Sequence, residues 1–86
     1  MHTVELLEQA VSVATQLGYQ IRYEWLGGIG GGGCLIKGEK WIFLDLAQTP
    51  IEQLGQVIEA IRTEPNVTQL DLTGELNEQI AVRKSA

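Results

Sequence analysis

Apolar residues recur with helical spacing at the start of the chain. Val4, Leu7, Val11 and Ala14 form one stripe, and Leu6, Ala10, Val13 and Leu17 widen it. The pattern predicts a helix from Thr3, a residue type suited to the N-cap, to about Leu17, with Glu5 at the positive end of the helix dipole. Gly18 is placed to end it in a left-handed turn. The stripe is wider than one sheet contact needs, so the helix is expected to cover a sheet and also to meet another helix or a second subunit. From Tyr19 the period drops to two: Tyr19, Ile21, Tyr23 and Trp25 alternate with Gln20, Arg22 and Glu24, as in a strand with one buried face.

A second β-rich run, Cys34-Leu35-Ile36, leads through Lys37-Gly38-Glu39-Lys40 into Trp41–Leu46, which is apolar on both faces apart from Asp45. Gly38-Glu39 suits a two-residue hairpin with glycine at the first central position. The three runs are therefore expected to pair in sequence order, as an antiparallel meander. Thr49, Pro50 and Glu52 supply an N-cap, a first-turn proline and the third-position acid of a capping box. Leu54, Val57, Ile58 and Ile61 make the buried face of that second helix, with Glu52, Gln53, Gln56 and Glu59 towards water. Glu64 precedes Pro65, which ends the helix. Residues 67–72 are expected to add a short fourth strand. Residues 73–86, whose apolar anchors are Leu76, Ile80 and Val82, are expected to form a short helix, a C-terminal arm laid on a partner, or a disordered tail. The fold class is α+β, with a single domain over residues 1–72.

Composition narrows the range of functions. A chain of 86 residues, 44% of them hydrophobic, is one small domain whose stability benefits from association. With a formal net charge of -5 and adjacent basic residues only at Arg83-Lys84, it lacks the basic patch that nucleic acid or an anionic membrane surface requires. An acidic N-terminus and the lack of a long apolar run point to the cytoplasm. Cys34 is the only cysteine and His2 the only histidine, so no internal disulfide, cysteine–histidine dyad or HExxH metal site can be assembled. No cofactor is called for.

The densest candidate chemistry lies between the first two strands, where six glycines fall within residues 27–33. Gly28-Ile29-Gly30-Gly31-Gly32-Gly33 matches G-x-G-x-x-G, but a dinucleotide site needs a helix directly after the last glycine, and a strand follows instead. A Walker A loop needs Lys and then Ser or Thr, where this chain has Cys34-Leu35. The candidate ligand site is thus the loop itself: amides of Gly28, Gly30, Gly31, Gly32 and Gly33 around an anionic group, with Trp25 and Trp41 as walls. The simpler reading places both tryptophans in the core on a sheet face and makes the glycines a wide turn or a point of close packing. Cys34, beside Leu35 and Ile36 in a strand, is expected to be a small buried hydrophobe; the alternative is a reactive thiol with Asp45 or Glu24 as a neighbouring carboxylate. A negative charge would raise the thiol pKa, so that pairing is poor nucleophile chemistry. Asp45 is the acid most unusually set, within an apolar strand, and is expected to bond the adjacent turn or cap the next helix.

Arg22-Tyr23-Glu24, Gly31-Gly32-Gly33-Cys34, Ile36-Lys37 and Phe43-Leu44-Asp45 resemble a pattern in small uncharacterised bacterial proteins with a glycine-rich entry to a Gly-Gly-x-Cys strand, a hairpin and a helix. That resemblance implies a fold and no activity. The hairpin followed by a capped helix is also similar to the start of small zinc-dependent peptidases, but the helix here, PIEQLGQVIEAIR, carries Glu59 and no histidine. The resulting expectation is a non-catalytic module that associates with itself, a dimer first of all. The alternative is a small-molecule or anion-binding protein using the glycine loop.

Overall fold

The computed structural model describes residues 2–64, and the fourth strand and C-terminal arm expected after residue 66 lie outside the described residues. Helix α1 spans His2–Gln16, strand β1 Gln20–Glu24, β2 Gly32–Ile36, β3 Glu39–Asp45 and helix α2 Pro50–Ile61. Two helices and a three-stranded sheet make the α+β fold.

The strand pairing departs from the expected meander. The order is β1-β3-β2, with β3 in the centre. β1 runs parallel to β3, from Gln20 opposite Trp41 to Glu24 opposite Asp45. β2 runs antiparallel to β3, from Gly32 opposite Phe43 to Ile36 opposite Glu39. The sheet is therefore mixed. The cause is the glycine loop, which carries the chain across the end of β3 and delivers β2 to the far edge. Crossing two strand spacings takes about 10 Å, well within reach of seven residues. Gly31 makes the crossing possible, since a Cβ there would sit 1.8 Å from the Phe43 carbonyl oxygen.

Both helices pack on one face of this sheet and on each other. Leu6, Leu7, Ala10, Val13 and Ala14 of α1 meet Leu54, Val57, Ile58 and Ile61 of α2 over Ile42 and Leu44 of β3, and all are buried. The width of the α1 stripe is thus used on a helix as well as on the sheet. Thr3 lies inside α1 rather than capping it, and Val4 is exposed. Gly18 does end the helix, at φ 98°, with Tyr19 N–H donating to Ala14 and Gly18 N–H to Thr15. The capping box of α2 forms as its sequence predicts, with Glu52 N–H donating to Thr49 Oγ1 and Thr49 N–H to the Glu52 carboxylate. Gln53, expected to face water, is buried and donates to the Asp45 carbonyl. The hairpin turn is Lys37-Gly38, with both φ values positive at 51° and 81°. Glycine is its second central residue, because the sheet twist favours a turn with two left-handed residues.

Candidate functional site

Asp45 ends β3 with no solvent exposure, and its carboxylate is the hub of the glycine loop. Oδ1 accepts from Leu26 N–H at 3.0 Å and Ala47 N–H at 2.9 Å. Oδ2 accepts from Gly28 N–H at 2.8 Å and Gly30 N–H at 3.0 Å. Two donors on each oxygen fill the acceptor capacity of a carboxylate. Burial alone would raise its pKa, but the four amides outweigh burial and hold it below the ordinary carboxylate value. The loop thus does gather backbone N–H groups around an anion, and that anion belongs to the chain itself. Two of the proposed ligand-binding amides, those of Gly28 and Gly30, are engaged in this way.

The remaining loop glycines serve the crossing and β2. Gly32 and Gly33 lie in β2 opposite Phe43 and Ile42. A side chain on Gly33 would press on Ala60 at 3.2 Å, so this position lets α2 lie close to the strand. Between β2 and α2 runs a groove of about 400 Å³, bordered by Gly32, Gly33, Gln56, Tyr19 and Lys40. At its lower end the Tyr19 hydroxyl donates to Glu64 Oε2 at 2.9 Å, and Lys40 Nζ donates to the Leu17 carbonyl at 2.8 Å and to Glu64 Oε1 at 3.2 Å. The Lys40 ammonium lies 4.9 Å from the Tyr19 ring centroid. Burial, followed by the bond to Glu64 and its charge, pushes the Tyr19 pKa up to about 12. This cluster fastens the ends of both helices to the starts of β1 and β3. It was not singled out by sequence reasoning, since its members lie far apart in the chain and no motif joins them.

Neither tryptophan is a core residue. Trp25 lies beyond β1 and is 74% exposed. Trp41 is half-buried on the sheet face away from the helices, stacked on Phe43 with centroids 6.0 Å apart and planes at 17°. The alternation places Ile42 and Leu44 inward, so Trp41 and Phe43 must point outward. The two tryptophans do not bracket one site, because Trp41 pairs with Gln20 at the start of β1 and Trp25 follows its end. Cys34, expected to be buried, is exposed, because β2 is an edge strand and the register puts it on the outer face with Trp41, its cross-strand partner. Asp45 lies four residues further along β3, roughly 13 Å away, and Glu24 is on the opposite edge strand. No carboxylate–thiol pair is formed by these residues.

The outer face holds a shallow depression of about 460 Å³ floored by Trp41, Phe43 and Ile36. Arg22 and Glu24 are ion-paired to one another at its rim, and Lys37 and Glu39 border it at the hairpin end. Among the described residues no group of three His, Cys, Asp or Glu is placed to hold a metal, and no helix is long and apolar enough to cross a membrane. No family model matches the chain, and neither does any curated protein or solved structure.

Proposed function

We propose that the protein is a non-catalytic module that acts by associating with itself. The observation that carries this reading is the asymmetry of the sheet: α1 and α2 pack on one face over Ile42 and Leu44, while the other presents half-buried, stacked Trp41 and Phe43 with no described element over them. A sheet face bearing large aromatics gains by being covered. The polar groups that could serve chemistry have structural work instead. Asp45 is saturated by amides, and Tyr19, Lys40 and Glu64 bond one another. Light scattering across a concentration series tests the reading. The average mass should rise towards two chains in the micromolar range, and a constant single-chain mass up to millimolar concentration would refute it.

A second reading, binding of a small molecule, is favoured by the groove between β2 and α2, where glycine backbone, Gln56 and Lys40 border an open space of about 400 Å³. It ranks lower because an anion seeking the loop amides of Gly28 and Gly30 would have to displace the buried Asp45 carboxylate. A metabolite panel read by thermal shift tests it, since ligand at a hundred times its dissociation constant adds about 2.7 kcal/mol of stability. No shift with any member would remove its support.

A further inference from the structure

Resting on the self-association reading, we infer that two copies of the chain meet through the outer face of the sheet, related by a two-fold axis that brings Trp41 and Phe43 of one copy against the same pair in the other. A second copy is the occupant that the charge pattern fits. The whole chain carries a formal charge of -5, so most of its surface repels another copy. The rim of this face is balanced, with Arg22 and Lys37 offset by Glu24 and Glu39. It holds two of the four basic residues between positions 2 and 64, namely Arg22 and Lys37 out of Arg22, Lys37, Lys40 and Arg62. Two acidic molecules therefore approach with least repulsion along this face.

A rim of both signs also complements itself. In a two-fold contact each residue meets its counterpart's neighbours, so the Arg22 end of one patch can face an acidic residue of the other. A strongly acidic or basic partner would be matched by a rim of a single sign. The apolar floor supplies the attraction, with aromatic rings that are already stacked and need little ordering. Three strands span about 15 Å, and their length is about 20 Å, so the face is small for a protein interface. The expected dissociation constant is accordingly in the micromolar range or weaker.

Cys34 is a built-in reporter, because it is exposed and lies on β2 beside Trp41 on the same face. The test uses the full chain at about 100 µM, well above a micromolar dissociation constant. Sedimentation equilibrium is measured for the native chain, for Trp41→Ser and for Trp25→Ser, with circular dichroism confirming that each variant is folded. In parallel, Cys34 is oxidised with copper phenanthroline and the covalent dimer is quantified. Trp41→Ser should weaken dimerisation by about tenfold or more, as loss of a central aromatic anchor does, and should suppress the Cys34 cross-link. Trp25→Ser should leave both unchanged.

A dimer that persists in Trp41→Ser, or that is lost in Trp25→Ser alone, would overturn this assignment of the face while leaving self-association standing. A native chain that stays a single-chain species when the series is extended to millimolar concentration would overturn both. A monomer in which Cys34 and Trp41 are shielded from iodoacetamide and acrylamide at every concentration would show that the face is covered by the chain's own remaining residues, and it too would overturn the inference.

Discussion

Asp45 accepts from amides on both sides of itself in the chain: Leu26, Gly28 and Gly30 before it, and Ala47 after it. It closes the loop by charge-assisted bonds that a neutral side chain cannot reproduce. Because its folded pKa lies below the unfolded value of 3.8, the stability it contributes is present above that pH and is lost as pH falls through the depressed folded value. Asp45→Asn should therefore lower the melting temperature at neutral pH and flatten the acid limb of a stability–pH profile. An unchanged acid limb would contradict this role.

Tyr19 has the opposite sign. Its pKa is raised to about 12 from 10.0, so its contribution is complete below pH 10 and fades as pH rises through about 12. Glu64→Gln removes the charge that acts with burial to raise it, so phenolate absorbance should then appear at lower pH. Gly31 acts through space alone. In Gly31→Ala the new Cβ meets the Phe43 carbonyl, and the backbone must move. Urea denaturation should show a loss of about 2 kcal/mol or more, in the range of strained core substitutions.

Among the elements, α2 was the most legible in the sequence. Thr49, Pro50 and Glu52 state its start through local bonds that need no tertiary partner, and the structure forms all of them. Thr49→Ala should destabilise the protein by about 1 kcal/mol, readable as a shift in the denaturation midpoint at constant slope. The end of α1 at Gly18 was legible for the same reason, since a left-handed residue is a local requirement. The hairpin was placed correctly but with its turn one residue late, because Lys37 takes a left-handed conformation that its residue type does not advertise. Gln53 was misjudged since a polar side chain in a helix reads as exposed, and only the position of the Asp45 carbonyl gives it a buried partner.

At the scale of the whole molecule the strand order was the main difference. One signal for it was present: Trp41–Leu46 is apolar on both faces, as a central strand should be, whereas the glycine-led β2 is a weak candidate for the middle of a sheet. Sequence adjacency argued the other way, since consecutive strands usually pair. Charge acts at this scale as well. Two copies at -5 each repel over distances that salt shortens, while the balanced rim has little net charge to screen. Raising ionic strength from about 0.02 M to about 0.5 M should strengthen dimerisation modestly. Sedimentation at both salt levels checks this, and a marked weakening would mean that cross-dimer ion pairs dominate the contact.

The sequence by itself determined the two helices, the three strands, the capping box of α2 and the end of α1 at Gly18, because hydrophobic period, capping side chains and glycine conformations act within a few residues of one another. It offered the loop amides as one candidate anion site, and of those only Gly28 and Gly30 bond a carboxylate, joined by Leu26 and Ala47. Tertiary structure alone decided that the anion is Asp45, that β3 lies between β1 and β2, and that Trp41 and Phe43 face away from the helices. Those outcomes depend on which edge a flexible loop delivers its strand to. A glycine run allows several such paths, and the choice among them rests on contacts between residues distant in the chain.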